Sequence, residues 1–394
     1  MKWVRSEGDL FRPILFIGES PGQQEVIYNR PFCGPAGKKQ DQLNALAGIS
    51  REQARWTNVI KVRPPNDDIS HYIDLSKKPN RDELFDWLRG RLPFPPKGIS
   101  PDSKEHLLAL LEEIDEFRGN VIVPLGNVPM WVLTGNVGIT KWRGSILSYK
   151  GRKVIPCVHP SSLLRGFDKG DVRYSVQIRL AIADLRRVAE ESLFPEIRLP
   201  VRDLIIYPTA EDAILWLKDC LQLPEVGFDI EAIARGGVVE MSCFAVAANE
   251  RSSMCIPLIS NGRNYFSEEE EIEILDALDK LLGSWSVKKV GHNIIFDSAF
   301  LYRRYGMICL PVEDTMIAHM LRFPDVPRGL DTLVRLYTRE PYYKDDGKEW
   351  NSLGKTEAAF FEYNAKDAAV VLEILPKVLD SLRRQDGDGE LTDL

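Results

Sequence analysis

Residues 225–247, EVGFDIEAIARGGVVEMSCFAVA, predict two β-strands joined by a Gly-Gly turn. In the first strand Asp229 and Glu231 lie two residues apart, so both side chains project from the same face of the sheet. Two neighbouring carboxylates repel each other unless a positive group lies between them. A D-x-E pair considered alone favours an edge strand that faces water, so the interpretation depends on what else the chain supplies.

Polar residues also follow the next predicted strand. His292 and Asn293 come just after a short predicted strand at 287–290, and Phe296 and Asp297 are predicted to begin a helix. This segment therefore adds a third carboxylate at the start of a helix.

A fourth carboxylate lies near the end of the chain. The segment EYNAKDAAVVLEIL, residues 362–375, predicts a helix in which Tyr363 and Asp367 are separated by four residues and share one face. Four acids at strand and helix-start positions, with a tyrosine one turn before the last, favour a functional site over an exposed strand edge.

These motifs resemble the 3′→5′ exonucleases of the DnaQ-like superfamily, in the subclass named for three Asp, one Glu and one Tyr. The resemblance extends over residues 204–382 and includes the proofreading domains of DNA polymerase I-type enzymes, especially those of phages. It implies an RNase H-like domain with a mixed sheet. It also implies that Asp314 supports the site without binding metal.

The resemblance further implies catalysis with two Mg²⁺ or Mn²⁺ ions at the terminal phosphodiester. Carboxylates are hard oxygen donors that suit these ions. The metal ligands, which are also catalytic, would be Asp229, Glu231, Asp297 and Asp367. Asp229 would bridge both ions, Tyr363 would orient the attacking water, and Asn293 would contact the terminal nucleotide.

The N-terminal half has a stretch rich in turn-forming residues directly after a predicted strand. The apolar run at 14–17 predicts a buried strand, and residues 18–37, GESPGQQEVIYNRPFCGPAG, follow it with little periodic apolar pattern. The composition predicts neither a helix nor a strand there. A surface loop and a phosphate cradle are two interpretations, but the stretch lacks the GxxxxGK[ST] arrangement of a P-loop.

Polar residues at strand ends support a third interpretation. A second predicted strand carries Asn58, Lys61 and Arg63, and a hairpin-like return ends at His159. Sites in α/β proteins lie where the carboxyl ends of parallel strands meet. We therefore expect Glu19, Asn58 and His159 to converge there.

This ordered set resembles the uracil-DNA glycosylase superfamily, and family four most closely, over residues 12–188. The matching motifs are G-E-x-P-G-x-x-E at 18–25, P-F-x-G at 31–34, T-N at 57–58 and H-P-S at 159–161. The resemblance implies a three-layer α/β domain with a parallel sheet and a base pocket that recognises or excises uracil.

The resemblance also implies residue roles in that pocket. Glu19 would contribute to substrate binding, Phe32 would stack on the base, and the amide of Asn58 would read the uracil edge. His159 would stabilise the charge that develops on the departing base.

Two further roles follow from the same resemblance. Because serine is a poor base, Ser20 leaves Glu25 as the better candidate for handling the attacking water. Leu163 or Leu164 would insert into the base stack when a nucleotide is flipped.

Family-four enzymes usually hold an iron–sulfur cluster on four cysteines. Here Val62 stands where a ligand is expected, and Cys33 and Cys157 are too isolated to replace the set. We therefore predict no iron–sulfur cluster. The scattered cysteines, with no C-x-x-C pair, predict a reducing cytoplasm. The resemblance to phage enzymes implies the cytoplasm of a bacterium or of a phage-infected host.

Length and charge predict two domains. The chain has 394 residues and a net charge of −7, with 29 Lys and Arg against 23 Asp and Glu in residues 1–195 and 22 against 35 in residues 196–394. Prolines after a predicted helix place the boundary in 189–202. We predict a glycosylase-like domain at 1–195, an exonuclease domain at 196–385 and an acidic tail at 386–394.

Together the two resemblances imply a 3′→5′ DNA exonuclease for proofreading or repair, with an attached domain that recognises or excises uracil. The expected partner is DNA, either single-stranded or at 3′ ends, and no stretch is apolar enough to predict a membrane span. Because no polymerase motif follows, the chain is expected to act alone or with a separately encoded family-A DNA polymerase. The alternatives are a non-catalytic, DNA-binding accessory subunit and a 3′→5′ exoribonuclease.

Overall fold

Two β-sheets, each covered by helices on both faces, organise the chain. The computed structural model describes residues 2–76, 98–168, 173–235, 237–345 and 356–386. The chain divides into two units, Met1–Leu199 and Pro200–Leu394. Residues 77–97, and residues 387–394 of the predicted tail, lie outside the described residues.

The N-terminal unit contains a five-stranded sheet with the order β2-β1-β3-β5-β4. Its strands are β1 (Ile14–Gly18), β2 (Ala54–Asn58), β3 (Val121–Pro124), β4 (Leu147–Tyr149) and β5 (Arg152–Val154). Its helices are α1 (Gln23–Tyr28), α2 (Pro35–Leu46), α3 (Lys104–Glu116), α4 (Asn127–Thr134), α5 (Ile139–Trp142), α6 (Pro160–Asp168) and α7 (Tyr174–Glu191). All pairings are parallel except that of β4 with β5, which form the predicted hairpin.

Strand β1 is apolar throughout because both of its faces are covered. Leu15 and Ile17 belong to the cluster that includes α3 and α4, whereas Ile14 and Phe16 belong to the cluster that includes α2 and α7. This arrangement confirms the predicted three-layer α/β fold of the N-terminal half.

Two local predictions in this unit are wrong. Residues 18–37 are not free of helix, because they contain α1 and the first turn of α2, which begins with Pro35. Strand β2 ends at Asn58, where its pairing with β1 also ends, so Lys61 and Arg63 lie beyond it. Lys61 is buried against Glu113, with Nζ 2.9 Å from Oε2.

The C-terminal unit contains a six-stranded mixed sheet with the order β13-β12-β7-β8-β9-β6. Its strands are β6 (Asp203–Ile205), β7 (Glu225–Arg235), β8 (Val238–Ala247), β9 (Ser252–Pro257), β12 (Lys288–Gly291) and β13 (Val312–Asp314), with a separate ribbon of β10 (Ile259–Ser260) and β11 (Arg263–Asn264). Its helices are α8 (Ala210–Cys220), α9 (Glu268–Gly283), α10 (Ile294–Tyr305), α11 (Thr315–Arg322), α12 (Leu330–Tyr337) and α13 (Glu357–Asp386).

The two strands predicted at 225–247 are the antiparallel pair β7 and β8, and β9 continues the antiparallel order. Strand β12 pairs in parallel with both β7 and β13. One apolar cluster joins the sheet to α8, α9 and α10, and a second joins it to α12 and α13. The mixed-sheet prediction is therefore confirmed.

Helix α9 begins with a capping box in which Ser267 and Glu270 exchange hydrogen bonds. Helix α10 begins at Ile294, two residues before the predicted start at Phe296. Among the described helices, none is both long and apolar enough to cross a membrane.

Candidate active sites

Three of the four predicted metal ligands meet between β7 and α13. One carboxylate oxygen from each of Asp229, Glu231 and Asp367 lies within 4.8 Å of the others. The two strand residues reach the same point because of their two-residue spacing, and Asp367 faces them from the helix.

The close approach of α13 to the sheet depends on a glycine. A Cβ atom at Gly227 would lie 1.9 Å from the carbonyl oxygen of Ala368. Ala365 and Ala369 are fully buried in the same cluster. Small residues on both elements therefore let the helix backbone lie against β7 and bring Asp367 to Asp229.

Asp297 lies beside this cluster and outside the group of three. It is buried in the first turn of α10, and its Oδ1 accepts a hydrogen bond of 3.1 Å from the backbone N–H of Ile230. Ile230 separates Asp229 from Glu231 in the strand. The structure thus places Asp297 against the backbone of the strand that carries the other two acids.

Burial and mutual repulsion disfavour the ionised forms of Asp229, Glu231 and Asp297. Burial, with repulsion from Asp367 and Asp297, raises the pKa of Asp229 well above its usual range. Burial raises the pKa of Glu231 to about 7, and also that of Asp297 to about 7. A divalent cation would remove this penalty, and the donor set consists of the oxygen ligands that Mg²⁺ and Mn²⁺ prefer. The residues present therefore fit such ions.

Sequence analysis missed three donors to the carboxylates. The amide Nδ2 of Asn364 donates to Asp229 Oδ2 at 2.7 Å. The hydroxyl of Tyr343 donates to Asp367 Oδ1 at 2.7 Å, and Lys344 Nζ donates to Oδ2 at 2.5 Å. Asn364 could have been found, because it follows Tyr363 in the motif; the other two come from a segment with no local signal.

The predicted tyrosine lies in the same site. Lys344 Nζ donates to the Tyr363 hydroxyl at 2.7 Å, and Tyr363 is largely buried. Because the hydroxyl oxygen accepts this bond, its own hydrogen remains available to another acceptor.

Asp314 fixes the start of α10. Its carboxylate accepts hydrogen bonds from the backbone N–H groups of Asn293, Ile294 and Met316 at 3.0, 3.1 and 2.8 Å. Asn293 is exposed and has a left-handed backbone with φ of 60°. Asp314 therefore holds the turn from which Asn293 projects and the helix that carries Asp297.

A separate cavity of about 340 Å³ lies at the carboxyl edge of the N-terminal sheet. Its lining includes Glu25, Phe32, Asn58 and His159. Ser20 and residues at the starts of α1 and α2 complete it. The predicted convergence of Asn58 and His159 is found, and Glu19 is not among the lining residues.

Glycine 18 allows two of the lining side chains to meet. A Cβ atom there would lie 2.3 Å from Asn58 Oδ1 and 2.6 Å from Phe32 Cζ. Asn58 Nδ2 donates to Glu25 Oε2 at 3.4 Å. Burial raises the pKa of Glu25 to about 7, against the hydrogen bonds that favour its ionised form.

His159 is held in position by the next turn of chain. Its Nδ1 lies 2.7 Å from Ser161 Oγ and accepts a hydrogen bond of 3.3 Å from the backbone N–H of Ser161, while Arg165 donates to the same Oγ. Burial, with the nearby Arg165 charge, lowers the pKa of His159 to about 4. The imidazole is therefore neutral at pH 7 and can stabilise an anion only as a hydrogen-bond donor.

The structure corrects the prediction for one leucine. Leu163 is buried in the core between the sheet and α7, so it cannot insert into a base stack. Leu164 is half-buried, so part of its side chain remains accessible for such a role. The two neighbours differ because adjacent residues of α6 face about 100° apart.

Residues 6–186 match the uracil-DNA glycosylase superfamily. The type-4 uracil-DNA glycosylase of Thermotoga maritima is 36% identical over 165 residues, which are 41% of this chain and 71% of that protein. The chain belongs to this superfamily. The glycosylase-like half and its resemblance to family four are therefore confirmed.

Residues 205–383 match a family described as 3′-5′ exonuclease. A DNA polymerase of Bacillus phage SP01 is 23% identical over 344 residues, which are 82% of this chain and 34% of that protein, so the match extends into both units. The structure of Escherichia coli RNase D is similar at 18% identity, with a TM-score of 0.36 over 48% of this chain and 46% of that one. The exonuclease family match thus covers nearly all of the C-terminal unit, where the sequence motifs predicted it.

Proposed function

We propose that the C-terminal unit is a metal-dependent 3′→5′ DNA exonuclease. The observation that carries this proposal is the meeting of Asp229, Glu231 and Asp367 within 4.8 Å. Tyr363 lies in the same site, and Asp297 accepts a hydrogen bond from the backbone of the strand that carries Asp229 and Glu231. This set supports the ligand and catalytic roles that the sequence predicted.

In this proposal the four carboxylates hold two Mg²⁺ or Mn²⁺ ions. When bound, such ions would supply activation of water and stabilisation of the leaving 3′ oxygen. The Tyr363 hydroxyl orients the attacking water, while Asn293, projecting from the turn before α10, contacts the terminal nucleotide. Asn364 and Asp314 hold Asp229 and the start of α10 in place.

Ligand removal tests the proposal. Asp229→Ala and Asp367→Ala should each abolish release of nucleotides from 3′-labelled DNA, and EDTA should do the same to the wild type. Tyr363→Phe should slow release less, because the tyrosine orients water and does not hold metal. Full activity of Asp229→Ala in EDTA would contradict the assignment.

We also propose that the N-terminal cavity binds a flipped uracil and releases it from DNA. Phe32 would stack on the base, Asn58 would read its edge, and neutral His159 would donate a hydrogen bond to the departing base. Glu25 would handle the water, and Leu164 would fill the vacated stack. The support is that Phe32, Asn58, Glu25 and His159 line one cavity.

Single substitutions separate these roles. Asn58→Ala should lose discrimination for uracil, and Phe32→Ala should weaken binding by about 1–3 kcal/mol, as expected for a lost stacking contact. His159→Ala should lower the rate more than the affinity, because its partner charge appears in the transition state. DNA binding without uracil release would reduce the domain to a positioning module.

The substrate and partner are part of the proposal. We propose DNA over RNA because the chain belongs to a DNA glycosylase superfamily and matches a phage DNA polymerase across both units. The proposed domain boundary is near residue 195, and the proposed partner, where one exists, is a separate family-A polymerase. Release rates on matched DNA and RNA oligonucleotides decide between the exonuclease and the exoribonuclease.

A further inference from the structure

Lys344 makes two contacts inside the carboxylate site. Its Nζ atom lies 2.5 Å from Asp367 Oδ2 and 2.7 Å from the Tyr363 hydroxyl, and only 13% of its side chain is exposed. The ammonium also lies 4.5 Å from the centre of the Tyr363 ring. A single lysine therefore touches both the phenol and one of the three clustered carboxylates.

Its neighbour anchors the same carboxylate. Tyr343 is buried, and its hydroxyl donates to Asp367 Oδ1. Both oxygens of Asp367 thus accept a hydrogen bond from this pair of adjacent residues. The lysine is placed by a buried neighbour, unlike a surface lysine that reaches a carboxylate through its own flexible chain.

The position of the ammonium matters because of its charge. A cation within hydrogen-bond distance of Asp367 stabilises the ionised carboxylate, and it repels any second cation that approaches the same oxygen. The Tyr363 hydroxyl meanwhile accepts from Lys344, which fixes the direction in which it can donate its own hydrogen.

We infer that Lys344 is a positioning residue that does two things in this site. It orients the Tyr363 hydroxyl, and it competes with the divalent ion for Oδ2 of Asp367. The inference rests on the proposed metal-dependent exonuclease, and it predicts that removal of the lysine charge tightens metal binding while it slows nucleotide release.

Calorimetric titration of the full chain with Mn²⁺ alone tests this inference. Lys344→Met should lower the Kd for Mn²⁺ by about tenfold, because a like charge next to a ligand oxygen is removed. Lys344→Arg should stay near the wild-type Kd, since the charge is kept. Lys377→Met is the matched control, because Lys377 lies on the same helix as Asp367, is half exposed and pairs with Glu373 at 2.8 Å.

Release of nucleotides from 3′-labelled single-stranded DNA supplies the second readout. Lys344→Met should be slower than wild type at saturating Mn²⁺, and Lys377→Met should not. An unchanged or higher Kd in folded Lys344→Met, judged by its melting curve, would overturn the inference. If the wild type releases nucleotides and binds Mn²⁺ in that case, the exonuclease proposal stands without it; if the wild type binds no Mn²⁺, both fail.

Discussion

Asn364 links helix α13 to Asp229 through a side-chain hydrogen bond. It is fully buried, and its amide donates to Asp229 at 2.7 Å without adding a charge. Partners that orient metal ligands in this way typically contribute about 10–100-fold to metal affinity or activity. Asn364→Ala should therefore slow nucleotide release by about that factor, measured on 3′-labelled DNA at several Mg²⁺ concentrations.

Glu362→Ala is the control for Asn364→Ala, because Glu362 lies two residues away on the same helix and is exposed. It should behave as the wild type. Equal effects from the two substitutions would show that general damage to α13, and not the bond to Asp229, explains the loss.

The raised pKa of Glu231 predicts how the stability of the protein depends on pH. Burial raises that pKa from 4.5 to about 7, so between those values the folded protein binds more protons than the unfolded chain. The free energy of unfolding should therefore fall as pH rises across this interval when EDTA is present. Mg²⁺, which pairs with the ionised carboxylates, should reduce the fall.

Thermal unfolding of the wild type and Glu231→Gln in EDTA, followed from about pH 5 to about pH 7, measures this effect. The glutamine variant has no carboxylate to ionise, so its midpoint should depend less on pH. Parallel curves for the two proteins would show that the Glu231 carboxyl is not held in its protonated form.

Between the elements, the contact of β7 with α13 decides whether a site forms. Gly227→Ala would place a Cβ atom 1.9 Å from the Ala368 carbonyl oxygen, so the helix would have to move away from the strand. Overpacking of this kind typically costs about 1–3 kcal/mol. We expect lower stability to urea and a larger loss of nucleotide release than the stability change alone would cause.

Gly283→Ala is the matched control, because the nearest atom to a Cβ there is the Ile308 carbonyl oxygen at an ordinary 4.0 Å. Its stability and activity should stay close to those of the wild type. If Gly227→Ala were active and stable, α13 would be able to place Asp367 in the site without close packing on β7.

The same elements show what could be predicted from sequence. Side chains repeat every two residues along a strand and about every 3.6 residues along a helix. The spacing in the sequence was therefore enough to predict that Asp229 and Glu231 share one face of a strand, and that Tyr363 and Asp367 share one face of a helix. Lys344 could not be found, since it reaches Asp367 by a tertiary contact from an irregular segment. Helix α1 was missed because six residues between turn-forming neighbours show no apolar period.

Across the whole molecule, two sites of different chemistry lie in two separate units of one chain. One unit offers a carboxylate cluster that fits divalent cations, and the other offers a cavity with a buried acid, an amide and a neutral imidazole. Glycosidic cleavage needs a positioned water and a stabilised leaving anion, neither of which requires a metal. The two activities should therefore differ in their dependence on Mg²⁺.

One measurement tests this central claim most directly. The full chain is incubated with a 3′-labelled single-stranded DNA that contains uracil, in Mg²⁺ or in EDTA, and released nucleotide and free uracil are quantified from the same reaction. We predict both products in Mg²⁺ and only free uracil in EDTA, with Asp229→Ala in Mg²⁺ matching the EDTA result. Nucleotide release in EDTA, or uracil release that requires Mg²⁺, would contradict the account.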